Sequence, residues 1–242
     1  MLLISMEYSS VDKVFEKFFT VIYEDNHLIA VHKKSGVLVQ GDETGDTPLS
    51  ELVKEYLKQK YQKPGNVFCG VIHRIDRPVS GLVLLAKTSK ALERMNKQFA
   101  DKVIQKTYWA VVVNEPKTAS AILKHWLTKD VQRNVAKAFD KEVNGSKYCE
   151  LSYELINKSD RYFLLEVKPV TGRAHQIRCQ LSKVGCPIKG DLKYGAPRSN
   201  PDGRIHLHAR KLEFEHPVTK EKISIECPLP TEDVLWQHFE IK

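Results

Sequence analysis

HRIDRPVSGLVLLAK, residues 73–87, contains a turn and a strand from which the rest of the chain can be placed. LVLLA at 82–86 is a short continuous apolar run bounded by a turn, the pattern of a strand buried on both faces. VFCGVI at 67–72 is apolar as well, and Pro78 to Gly81 is a turn signal. Three full charges, Arg74, Asp76 and Arg77, stand between these segments. A carboxylate at the mouth of two buried segments is costly unless paired. Taken alone, Asp76 reads as a turn-capping residue or the partner of a neighbouring arginine.

Outward from this stretch, residues 1–19 read as a leader or short helix, with Val11, Val14, Phe15 and Phe18 at helical spacing. FTVIYEDNHLIAVHKKSG, 19–36, reads as two strands around Glu24-Asp25-Asn26. Leu49, Leu52, Val53, Tyr56 and Leu57 form one face of a helix, with Thr47 as its expected cap and Pro48 at its first position. TSKALERMNKQFADK is a second helix with Leu92, Met95 and Phe99 inward. IQKTYWAVVV alternates as a strand and sets Lys106, Tyr108 and Ala110 on one face. Residues 114–147, rich in Lys, Asn and Asp, read as a peripheral hairpin or insertion.

YCELSYELI and YFLLEVKP are further strands. TGRAHQIRCQLSKVG is a turn entering a helix whose buried stripe is Ile177, Leu181 and Val184, stopped by Gly185. His175 and Arg178, three apart, would share the opposite face. RIHLHARKLEFEHP alternates but slips between Ala209 and Leu212, as at a bulge, and KEKISIECPLP closes with a strand. Strands outnumber helices without strict alternation. The expected fold is therefore α+β: a mixed, largely antiparallel bent sheet with flanking helices, in one domain over 20–242.

The chain has 242 residues, 42% hydrophobic and 28% charged, which describes an ordinary globular protein. No run is long enough to span a membrane, and no signal peptide is recognisable, so a cytoplasmic protein is expected. Its 5 cysteines include no CxxC pair, against a structural zinc site. Cys179 and Cys186 read as small core or inert groups without an activating partner. His206 and His208 form H-x-H on one strand face. With no further ligand at matching spacing, they read as surface or RNA-facing histidines rather than a metal site. A formal charge of +8 fits a polyanionic partner.

The motifs together carry a resemblance. HRIDRPVSGLVLLAK resembles the H-R-L-D-x-x-T-S-G-L-L-L-x-A-K signature of the RluA-type pseudouridine synthases. VHKKSGVLVQ is similar to the family's N-K-P-S-G segment and KTYWAVV to its K-x-Y-x-A-x-V strand. VTGRAHQIRCQLSKVGCPIKGDLKYG resembles T-G-R-x-H-Q-I-R with its following G-D-x-x-Y-G, and LHARKLEFEHP its L-H-A-x-x-L-x-F-x-H-P strand. The motifs stand in the family's order from about Tyr23 to Pro217. Departures are Val79 for Thr, Ala174 for Thr or Ser, Cys179-Gln180 for Val-His, and His32 and Lys34 for Asn and Pro.

The resemblance implies isomerisation of uridine to pseudouridine in structured ribosomal or transfer RNA, with no cofactor and no metal. It implies Asp76 as the catalytic carboxylate, Tyr108 packed on the target base, and Arg178 as the cation paired with Asp76. Arg74 would hold the opened RNA. Arg77, Arg173, His175 and Lys106 are expected to contact RNA. Rival readings are a non-catalytic RNA-binding or RNA-folding protein, and a hydrolase releasing uracil. The latter would need a second carboxylate, and Asp191, the acidic candidate, reads as a turn residue. Nineteen residues before the first strand are too few for the small S4-type domain of many relatives. Recognition is therefore expected from the catalytic domain, in a monomer.

Overall fold

The protein was analysed as a computed structural model that describes residues 10–240. Residues 1–9 of the expected leader lie outside the described residues. The rest of that segment holds helix α1, Ser10–Phe15. Val11 and Phe15, four apart, turn inward, whereas Val14 is 56% exposed, contrary to the spacing reading.

Strands β1, Phe19–Glu24, and β2, Leu28–Lys33, form the expected hairpin. Asp25 closes its turn, its Oδ1 accepting from the His27 and Leu28 amides at 2.7 Å each. Helix α2, Leu49–Lys60, begins one residue later than expected. Pro48 is extended, at φ −76° and ψ 158°, and no side chain caps the helix. Thr47 thus lies one position too far from the first helical amides, and the Pro48 carbonyl instead takes those of Glu51 and Leu52.

After the short strand β3, Gly70–Val71, comes β4, Ser80–Ala86, buried at every position as its apolar run demands. Helix α3, Ser89–Ala100, is capped by Thr88, whose side chain accepts from the Ala91 amide. Strands β5 (Gln105–Val112), β6 (Ser120–Asp130), β7 (Val135–Phe139), β8 (Lys147–Lys158) and β9 (Phe163–Pro169) follow. Then come helix α4, Gln176–Lys183, strands β10, Leu207–Glu215, and β11, Lys222–Glu226, and helix α5, Val234–Glu240.

The strands of the described residues join one sheet in the order β1-β2-β4-β10-β5-β9-β8-β6-β7, with β3 on β4 and β11 on β10. All pairings are antiparallel except β4 with β10. The sheet is thus the mixed, largely antiparallel one expected of an α+β fold. The 114–147 stretch is indeed a hairpin at the sheet's far edge, β6–β7, but it is part of the sheet rather than an insertion. The register slip in β10 falls between Ala209 and Lys211 opposite β5.

The β4–β10 junction explains one glycine. Ala209 pairs with Gly81, whose φ is +115°, and a Cβ there would lie 2.5 Å from the Ala209 amide nitrogen and carbonyl oxygen. Only glycine permits this approach. The same junction corrects the reading of His206 and His208. Because β10 lies inside the sheet, both are buried, at 2% and 0% exposure. His208 Nδ1 meets Ser80 Oγ at 2.9 Å, and His206 Nε2 lies 3.1 Å from Asp233 Oδ2. Neither faces the surface or RNA. The cysteines are all buried, and burial pushes the Cys179 thiol up to about 11, as suits inert core groups.

Candidate active site

The turn ahead of β4 and the turn ahead of α4 face each other across a cavity of about 290 Å³. Its lining includes Arg74, Asp76, Lys106, Tyr108, Arg173, His175 and Arg178. Seven of the eight expected site residues therefore converge, from three separate parts of the chain. Arg77 does not reach this cavity but lines an adjoining groove with Lys129, Asn134 and Lys193. It is held by the loop before α2, its Nε donating to the Gly36 carbonyl at 3.0 Å and its Nη2 pairing with Asp46 at 2.6 Å.

The Asp76 turn is pinned from behind. The Val79 amide donates to the Asp76 carbonyl at 3.0 Å. Lys33, fully buried at the end of β2, donates through Nζ to the carbonyls of Lys34, Val37 and Arg77 at 2.9, 2.8 and 3.2 Å. Three acceptors match the three hydrogens of an ammonium. Burial pushes its pKa down to about 7, with the Asp76 charge acting in the opposite sense.

Asp76 itself is ion-paired: Arg178 Nη1 donates to its Oδ2 at 2.9 Å, across 102 positions of sequence. The rest of the guanidinium is occupied elsewhere. Arg178 Nε and Nη2 form a two-bond fork with Asp191, at 2.7 and 2.8 Å. Asp191 is 1% exposed and Arg178 5%. The Tyr194 ring lies under the guanidinium, 4.9 Å from its central carbon. Burial opposes the Arg178 charge, but both carboxylates outweigh it and raise its pKa further.

Arg178 therefore does not project from a solvent face, as the helical spacing predicts. Helix α4 is buried on every side that carries Gln176 to Leu181, because it packs between the β6–β7 hairpin and the turn at Leu192–Tyr194. Nor is His175 on that helix. It precedes α4 in the left-handed region, at φ 55° and ψ 19°, and this swings its ring back toward Asp76, with Nε2 3.8 Å from Oδ2. Burial and the Arg178 charge push its pKa down to about 4 against the pull of Asp76, so the ring is neutral at pH 7.

Tyr108 faces the cavity from mid-β5. Burial and the Asp76 charge both hold its phenol above the ordinary value. Lys106, on the same face, stands 6.0 Å over the Phe99 ring, and burial followed by Lys102 lowers its pKa. Arg74 reaches into both cavity and groove, and Nη1 lies 3.5 Å from Gln40 Oε1. Arg173 is exposed, with Nε 3.3 Å from the Tyr148 carbonyl. Asp76 is the only carboxylate among the described residues lining the cavity.

The profile of the RNA pseudouridylate synthase family matches residues 27–183, which contain both Asp76 and Arg178. The chain belongs to this family. The ribosomal large subunit pseudouridine synthase C of Vibrio vulnificus is 32% identical over 91% of this chain and 69% of its own length. The protein of the same name from Rickettsia typhi is 33% identical over 90% of this chain and 71% of its own. In fold, the chain is similar to the solved structure titled Human RNA Pseudouridylate Synthase Domain Containing 4. That match has a TM-score of 0.77 at 21% identity and covers 94% of each chain. The chain is accordingly an RNA pseudouridine synthase, an isomerase.

Several residues of this synthase's site escaped the sequence reading. Asp191 lies in a turn, as its G-D-x-x-Y-G setting predicts, and its carboxylate also holds Arg178 in the two-bond fork. Tyr194, three positions on, packs against the same guanidinium. Their signal was the i, i+3 pair of a carboxylate and an aromatic in GDLKYG. Gln176 was also missed: its Oε1 accepts from Thr171 Oγ1 at 2.7 Å and the Arg173 amide at 3.0 Å, which folds the turn before α4.

Outside the cavity, His32, His208 and Cys227 bring one ligand atom each within 4.8 Å of one another in the core. The charges of Lys34 and Arg210 act on this group, which disfavours a cation there.

Proposed function

We propose that this synthase isomerises a uridine in large-subunit ribosomal RNA, with Asp76 as the catalytic carboxylate. The observation that carries this reading is the Asp76–Arg178 ion pair facing Tyr108 in one open cavity. The names of the sequence relatives support the choice of RNA. The net reaction breaks N1–C1′, turns the uracil over, and joins C5 to C1′. The C5 hydrogen is lost and N1 gains one, so nothing is consumed.

The target base must leave its stack, at a cost of a few kcal/mol. Arg74, an exposed cation that lines both cavity and groove, is suited to hold the opened RNA, and Tyr108 offers a face for the flipped base. Lys106, Arg173 and Arg77 supply positive charge for flanking phosphates. Arg178 holds Asp76 through Oδ2 and leaves Oδ1 directed to substrate. The Asp191 fork keeps that cation from moving into the cavity. A uracil-releasing hydrolase is less well supported, because it calls for a second carboxylate and Asp191 is committed to Arg178.

Carbodiimide mapping of total RNA from cells with and without the gene tests the reading. One pseudouridine in large-subunit RNA should vanish with the gene, and Asp76→Asn should fail to restore it while still binding RNA. Full restoration by Asp76→Asn would overturn the assignment of Asp76. Loss of no site, or of a transfer-RNA site, would overturn the choice of RNA.

A further inference from the structure

The Tyr194 oxygen makes two hydrogen bonds. It accepts from the Ala136 amide at 2.8 Å and lies 2.8 Å from His175 Nδ1. Tyr194 is buried, and its phenol has one hydrogen to give. The acceptor in reach of that hydrogen among the described residues is His175 Nδ1. The imidazole must then carry its own hydrogen on Nε2, the nitrogen that faces Asp76.

We propose that Tyr194 fixes His175 in the Nε2-protonated tautomer, so that His175 acts as a positioning residue presenting a neutral donor to Asp76. This rests on the reading of Asp76 as the catalytic carboxylate. The groups facing His175 are Asp76, Arg178, Lys129, Lys193 and Tyr194. Three of the five are cations, which together with burial keeps the ring from taking a second proton. Burial likewise pushes the Tyr194 phenol up to about 12, so it retains its hydrogen.

The difference between a neutral and a charged donor is functional. Arg178 already balances the Asp76 charge. A second cation would lower the basicity of the carboxylate, whereas a neutral N–H orients it with little loss of basicity. At 3.8 Å the Nε2–Oδ2 contact is longer than a hydrogen bond. Catalytic hydrogen bonds commonly tighten only when substrate fills the site. The His175 donor would close on Oδ2 as RNA enters, and Asp76 would then be held at one oxygen by two donors of different kind. The left-handed backbone at His175 is what aims the ring, and asparagine tolerates this conformation among non-glycine residues.

The tautomer can be read without RNA, by long-range proton–nitrogen correlation NMR on protein labelled with 15N-histidine at pH 7. The expected signal for His175 is Nε2–H with an unprotonated Nδ1, and Tyr194→Phe should shift it toward a tautomer mixture. An Nδ1–H tautomer or an imidazolium in the wild type would overturn the proposal while leaving the Asp76 assignment intact.

Single-turnover product formation on an unmodified large-subunit RNA transcript gives the second readout. His175→Asn, which keeps the backbone but places no donor at the Nε2 position, should slow turnover about tenfold with RNA saturating, so that any change in RNA affinity does not enter the rate. That is the loss of roughly one charge-assisted hydrogen bond. His175→Gln, which restores a donor near that position, should recover part of the rate. Wild-type turnover by His175→Asn, or equal loss in both variants, would overturn it. Failure of the whole function reading would show separately, as full activity of Asp76→Asn.

Discussion

A guanidinium has five N–H donors in a fixed plane, and at Arg178 their allocation decides what Asp76 experiences. Two go to Asp191, which is buried, and one to Asp76, which is half-exposed. Asp191 is thus the anchor and Asp76 the tethered group. Asp191→Asn should leave a buried cation short of one negative partner, which typically costs about 3–5 kcal/mol for a broken buried pair. The urea midpoint should fall, and product formation should fall further than stability alone explains, because Nη1 is no longer held on Asp76. Normal turnover in folded Asp191→Asn protein would show that Asp76 positions Arg178 unaided.

This pair also shows what sequence can and cannot reveal. Asp76 and Arg178 were legible because both sit in strong motifs. Asp191 looked like a turn residue because turns are where aspartate usually sits. The helical spacing put Arg178 on a solvent face because periodicity counts apolar residues. It cannot see that a polar side chain is buried against a partner 13 positions away.

At the scale of elements, β4 was legible because a strand buried on both faces has no alternative to a continuous apolar run. The β6–β7 hairpin was not, because its apolar residues do not alternate: in β6 Ile122 faces out beside buried Leu123, and the buried position between Leu123 and Leu127 is held by His125. The helix starting after Pro48 was misplaced by one residue, since a proline can open a helix or stand just outside it. The joint between the sheet's halves depends on Gly81. Gly81→Ala would place a Cβ against the Ala209 backbone, where no flexible side chain can move aside. Overpacking and backbone strain together should cost more than about 3 kcal/mol. A melting curve should show the loss, and a melting temperature within a few degrees of wild type would refute the close approach.

For the whole molecule, the buried histidines dictate an acid response. Burial lowers the pKa of His32 to about 4, His73 to about 3 and His175 to about 4, and takes His208 well below its ordinary value. His73 even uses its lone pair, accepting the Leu84 amide at 3.0 Å. In each case the unfolded chain binds a proton first, near pH 6.5. Stability therefore should be full above that pH and decline as pH falls from 6.5 toward 4, before most carboxylates titrate. Denaturant midpoints measured across pH 4 to 8 check this. A flat profile down to pH 5 would contradict it.

The parallel junction bears on how the molecule is made as well as on how it stands. Ser80 and His208, neighbours across that joint, are 128 positions apart. A chain emerging from its own ribosome completes β2, β3 and β4 together, yet β10, the parallel neighbour of Ser80 and Gly81, follows more than a hundred positions later. Until then the Ser80–Gly81 end of β4 lacks its parallel partner, beside the buried apolar run LVLLA, an edge of the kind that aggregates. Closing so long a loop is slow. Nascent chains stalled before β10 should therefore recruit chaperones strongly, and fragments ending ahead of Leu207 should be recovered as insoluble material.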